Sequence, residues 1–149
     1  LRFAVAAFDT WEGVEAALRD LSLGGTAPRN FNYLGLRRVL AGTGKARADA
    51  KPTSLHELPF PGNPDLIGCT PGPLADRLAG RLENGAQTLK AALGHWLIPR
   101  HAAHLQDGVE NGKIILWVQL FDNEDERRAY QSLLKTSSNS VGVHDLIGA

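Results

Sequence analysis

The sequence predicts an α+β fold, and three features predict it. A strand pattern followed by a helix pattern occurs near each end of the 149-residue chain. The strand-to-helix junction is the same in both places, Phe8-Asp9 and Phe121-Asp122. Between them lies a segment rich in proline, which neither an inner strand nor a helix interior accepts.

In the first unit, Phe3, Val5 and Ala7 alternate with Arg2, Ala4, Ala6 and Phe8, the two-residue period of a strand. Asp9, with Glu12 three residues on, predicts a capped helix start, because each carboxylate can accept an orphan backbone N–H. Val14, Ala17, Leu18 and Leu21 then fall on one helical face, and Gly24-Gly25 ends it. Asn30 to about Leu40 reads as a second strand with a ragged end.

Six of the eight prolines lie between Pro52 and Pro73, which predicts a loop or wrapped arm. A loop of that length is uncommon unless it packs on something. Leu74, Leu78, Leu82, Ala86, Leu89 and Leu93 predict one long amphipathic helix from Pro73 to Leu93, weakened by Gly80 and Gly85. Pro99 opens another helix, with Ala102, Leu105 and Val109 on one face and Gly112 as its stop.

The second unit begins with Lys113–Phe121 (KIILWVQLF), the strongest strand signal in the chain. Asp122, with Asp125 three residues on, starts a helix whose apolar stripe is Ala129, Tyr130, Leu133 and Leu134. A TSSNS loop leads to a short strand, Val141–Leu146.

Two strand–helix–strand units in one small chain predict a ferredoxin-like split β-α-β sandwich with a four-stranded antiparallel sheet. Its single domain divides into a first half (1–41), an insertion with a loop and two helices (42–112) and a second half (113–149). The expected core includes Phe3, Val5, Val14, Leu18, Leu21, Leu116, Val118, Leu133 and Leu134.

Composition excludes several classes. Sixteen Lys+Arg balance sixteen Asp+Glu, so no basic field is available to displace counterions from nucleic acid or to hold a membrane surface. A single cysteine, Cys69, rules out a disulfide scaffold within the chain. No apolar run approaches the roughly 18 residues of a membrane span. No secretory signal is visible, so a cytoplasmic location is expected; the absence of Met predicts a processed or trimmed N-terminus.

RFAVAAFDTWEGVEAALRDL near the start, and IPRHAAHLQDGVENGKIILWVQLFDNEDERRAYQSLL with VGVHDL near the end, together resemble the bacterial heat-induced, or general stress, protein family. Members open with a strand, a Phe-Asp-Thr junction and a helix, and resume with a Pro-led helix, a hydrophobic strand, an acidic helix and a short strand. The resemblance covers roughly residues 2–40 and 94–146, while the proline-rich middle departs from the family's glycine-rich one. It implies a stress-associated, non-enzymatic domain, with no catalytic residues to carry over.

In the strand Lys113–Phe121, Ile114, Leu116, Val118 and Leu120 point one way, and Ile115, Trp117 and Phe121 the other, with only Gln119 polar among the latter. An open sheet face should alternate with polar residues. Burying Trp117 and Ile115 contributes roughly 1.5–3 kcal/mol each, so this face predicts a cover. Three covers fit: the chain's own middle, a second copy in a homodimer, or a ligand.

Other groups carry weaker chemistry. His101 and His104 are three residues apart on one helix, with His95 before them; such spacing can place imidazoles on a metal, but it more often marks a solvated helix edge. Gly42-Thr43-Gly44-Lys45 fails the P-loop pattern, since Val39 stands at its first glycine and Ala46 at its Ser/Thr. With Arg37, Arg38 and Arg47, Lys45 makes a basic patch able to hold an anion. His144 and Asp145 could form an oriented pair, but neighbours in a strand point to opposite faces, which argues against it. Cys69 reads as a buried thiol with no base assigned to it.

The functional expectation is a non-enzymatic stress-associated domain, without cofactor, acting through self-association or a protein partner. The alternative is a small-molecule or metal-binding sensor using the basic loop or the His95/His101/His104 group. An enzyme working in a sheet-face cavity has no residues behind it.

Overall fold

Strand β5 (Ile114–Leu120) lies between β1 (Arg2–Phe8) and β2 (Phe31–Leu36), antiparallel to both. The computed structural model describes residues 1–42, 55–137 and 141–147. The other elements are α1 (Trp11–Leu23), α2 (Arg37–Gly42), β3 (His56–Leu58), β4 (Ile67–Cys69), α3 (Pro73–Glu83), α4 (Leu89–Leu93), α5 (Pro99–Glu110), α6 (Asn123–Thr136) and β6 (Val141–Asp145). They build one sheet in the order β3-β4-β2-β5-β1-β6, antiparallel at every pairing. Since β5 separates β1 from β2, and β1 separates β5 from β6, the units β1-α1-β2 and β5-α6-β6 are both parallel crossovers that skip one strand. No helix among the described residues is long and apolar enough to cross a membrane.

The α+β class and the antiparallel sheet agree with the sequence; the strand number does not. The sheet has six strands rather than four. The additional pair, β3 and β4, comes from the segment expected to be a loop. Pro59, Pro61, Pro64 and Pro71 all fall outside the two three-residue strands, so none removes a ladder donor. Thr70 secures this pair to the sheet: its N–H donates to the Tyr33 carbonyl at 3.1 Å, and its Oγ1 accepts from the Tyr33 N–H at 2.9 Å.

Helix boundaries also differ. Thr10, not Asp9, caps α1 by accepting the Gly13 N–H at 3.2 Å, and Asp9 instead pairs with Lys113. Asp122 caps α6 as expected, accepting the Asp125 N–H at 2.8 Å. The expected second strand stops at Leu36, and Arg37–Gly42 turns helical. The long helix from Pro73 to Leu93 is two helices. Gly85, at φ +95°, turns the chain in the left-handed region, and Thr88 restarts it by accepting the Ala91 N–H at 3.0 Å.

The sheet is covered on both faces. Helices α1 and α6 pack on one, where Val14, Ala17, Leu21, Ala129 and Leu133 meet Ala4, Ala6, Phe8, Leu116 and Val118. Helices α3, α4 and α5 pack on the other, where Leu74, Leu78, Leu89, Leu93, Leu105 and Val109 meet Phe3, Val5, Leu34, Ile115 and Trp117. Of the expected core residues, Leu18 is partly buried and packs against the core, while Leu134 lies outside it, 55% exposed on the outer side of α6.

The face under α3–α5 carries a polar defect. Asn32, opposite Trp117 in register, is fully buried, and neither its carboxamide nor the Trp117 indole N–H meets a hydrogen-bond partner among the described residues. Each such group costs about 1–3 kcal/mol, which the surrounding apolar burial offsets. Gly72 is required beside it, because a β-carbon there would stand 2.5 Å from the Asn32 Oδ1.

Trp117 has no exposed surface and meets Phe3 edge-to-face, with ring centroids 5.8 Å apart. Trp117→Ala should therefore lower unfolding stability by about 3–5 kcal/mol in a urea titration. A loss below about 1 kcal/mol would mean that the three helices do not seal this face.

Candidate functional site

Period two along β6 divides its side chains. Val141 and Val143 pack toward α1 and α6, so Gly142 and His144 face the side on which α5 lies. Helix α5 starts at Pro99, where the missing N–H is harmless, and buries Ala102, Leu105 and Val109. His101 and His104 flank that stripe. The two elements leave a cleft of about 270 Å³ between them. Val5, Ala7 and Leu105 supply apolar wall, and His101, His104 and His144 supply imidazoles.

The His101 and His144 rings stand edge-to-face, with centroids 5.2 Å apart and planes at 68°. The Nε2 of His144 lies 2.9 Å from where a β-carbon on residue 142 would sit, so Gly142 lets the ring lie back along its own strand. His104 is exposed at the rim, one turn beyond His101. No imidazole of the three has a hydrogen bond to another described residue.

Half-burial holds the His144 pKa below the ordinary imidazole value, and the nearby His101 pushes it the same way; Asp145 opposes both. Asp145 is itself engaged by Arg2, whose guanidinium donates to both carboxylate oxygens at 3.2 and 3.0 Å and to Glu126 at 2.7 Å. Those bonds raise the Arg2 pKa, with Glu126 the larger cause.

Of the residues selected from sequence, Ile115 and Trp117 are fully buried beneath α3–α5. Phe121 does not share that position. The strand ends at Leu120, and Phe121 is 66% exposed at the start of the turn into α6, its N–H donated to Asp125 at 3.0 Å. In the basic patch, Arg37 pairs with Glu57 at 2.8 Å and Arg38 reaches Asp65 at 4.0 Å. Carboxylates from β3 and the following loop thus face the two arginines, while Lys45 and Arg47 lie outside the described residues. His95 is separate from the other two candidate histidines. It is exposed and edge-on to Trp96, centroids 5.3 Å apart, beyond the end of α4.

His144 is the residue that the sequence reading left out of the cluster. Its alternation with the two β6 valines marked its face, but nothing local showed that α5 would lie across it. Among the described residues, no group of three or more His, Cys, Asp or Glu side chains is placed to hold a metal ion. Cys69 is fully buried, and burial, with a smaller contribution from Asp76, pushes its thiol up to about 12. It is therefore protonated at neutral pH and no nucleophile.

The chain matches no family model, no curated protein and no solved structure.

A lowered His144 pKa has a defined consequence for stability. Above an unfolded value of about 6.5 the ring is neutral in both states, and the associated stability is fully present. As pH falls below that value the unfolded chain takes up the proton first, and stability is lost until the folded ring also titrates. Melting temperature should thus fall between about pH 7 and pH 5, and fall less steeply in His144→Gln. Equal slopes in the two proteins would remove His144 as a source of the pH dependence.

Proposed function

We propose that this chain is a non-enzymatic binding domain that takes a small ligand in the cleft between α5 and β6. The observation that carries the reading is the cleft itself: about 270 Å³, apolar along Val5, Ala7 and Leu105, with three imidazoles converging on it. Small-ligand sites combine concave apolar wall with a few placed polar groups, and this cleft has both. Its scaffold reads as ferredoxin-like, with β2-β5-β1-β6 as the four-stranded sheet and the β3–β4 pair added at one edge; the strand order and the two skipping crossovers support this.

Self-association drew its support from an apolar face that needed a cover. Ile115 and Trp117 already have one in α3–α5, so the sensor reading is the better supported of the two. The stress association implied by the resemblance of the terminal segments is compatible with such a sensor.

The test is ligand screening by amide correlation spectra of the full chain in buffer containing EDTA, using carboxylates, phosphates and heteroaromatic amines at millimolar concentration. Binders should shift the amides of Val5, Leu105 and Val141 in preference to others. Shifts centred on Arg37 and Arg38, or no binder of any class, would overturn the reading.

A further inference from the structure

We propose that His101 and His144 form a two-imidazole site for a divalent transition-metal ion of the zinc, copper or nickel type. This rests on the reading of the α5–β6 cleft as a ligand site and names what enters it.

The ring separation is consistent with one shared ion. A nitrogen–metal distance of about 2.0–2.1 Å puts each ring centroid about 3.2 Å from the metal, and two such rings at a tetrahedral angle lie about 5.2 Å apart. The observed separation is 5.2 Å, with the rings crossed at 68° rather than stacked. No hydrogen bond to a described residue occupies either ring.

The donor set selects the class of metal. Imidazole suits zinc, copper and nickel, whereas magnesium and calcium require several oxygens. The neighbouring carboxylate, Asp145, is held by Arg2 on the other side of the strand. Among the described residues no third His, Cys, Asp or Glu completes a cluster, and the pair borders the cleft. An ion held this way is open to exchangeable donors, unlike a closed structural site with four protein ligands. Gly142 keeps the approach clear where any side chain would meet the His144 ring.

The test is zinc titration of the EDTA-stripped full chain at pH 7.5, followed by calorimetry and melting temperature. Wild type should bind one equivalent at micromolar concentration and melt several degrees higher with excess zinc. His101→Gln and His144→Gln should each weaken binding by at least about tenfold, and His95→Gln should leave it unchanged. Because a histidine variant can fail to fold, ring-nitrogen correlation spectra of the wild type provide an independent readout. Zinc should shift the His101 and His144 rings together and spare those of His56 and His95. Undiminished binding in His101→Gln and His144→Gln, shifts centred on His95, or no binding below millimolar zinc would overturn the metal assignment. Organic binders that still mapped to the cleft in EDTA would then leave the broader ligand reading standing, whereas failure of both experiments would remove it as well.

Discussion

Everything in this molecule depends on burying both faces of β5. Six of its seven residues are apolar, and the exception, Gln119, is only partly covered. A strand of that composition cannot lie on the surface of a two-layer sandwich, because either face left wet would forfeit several side chains' worth of burial at roughly 1.5–3 kcal/mol each. The chain answers with helices on both sides: α1 and α6 from the terminal units, and α3, α4 and α5 from the middle. The insertion is therefore half of the core rather than an appendage. Its leucines meet Trp117 and Ile115 much as Val14, Leu21 and Leu133 meet Leu116 and Val118.

That requirement also fixes where the cleft lies. Polar ties pin α5 from the α4 side: Asn63 donates to Glu110 at 2.9 Å and accepts the Leu89 N–H at 3.2 Å, and Gln106 accepts the Lys90 N–H at 2.7 Å. Helix α5 thus belongs to the three-helix layer, and its far side looks toward β6, the terminal strand of the sheet. Here cover is incomplete. Val141, Gly142, Val143 and His144 are all partly exposed, in contrast to the buried β1 beside them. Polar side chains can be afforded at such a boundary, and that is where the imidazoles are.

Legibility in the sequence followed the range of the forces involved. The terminal units could be read because strand period, helix stripe and caps are set within a few residues, as in Asp122 and the KIILWVQLF run. Strands β3 and β4 could not, since three residues carry no usable period and the surrounding prolines signalled a loop. The break in the long helix was half visible: Gly85 was noticed, but Thr88 as a second cap was not. The cover over Trp117 was expected on energetic grounds, and the structure supplies its identity. Least legible were the pairings across the chain. Arg37 and Arg38 looked like a free basic patch until Glu57 and Asp65 arrived from the proline-rich segment. His101 looked like half of a helical pair with His104 until His144 arrived from a strand 43 positions later.

The convergence of His101 and His144 has a physical cost that bears on its meaning. Partial burial opposes protonation of His144, and the His101 ring, edge-on to it at 5.2 Å, opposes it further. Neither ring offsets this with a hydrogen bond to a described residue, and Asp145, the one carboxylate that favours the charged form of His144, is directed to Arg2. A solvated helix edge would impose none of this, because exposed histidines are free to separate. The arrangement instead keeps two imidazoles close together above an apolar wall, and at Gly142 the lack of a side chain lets the His144 ring lie there. Two imidazoles brought together beside a cleft are suited to sharing an electrophile, and that suitability comes from the same edge of the sheet at which the core runs out of cover.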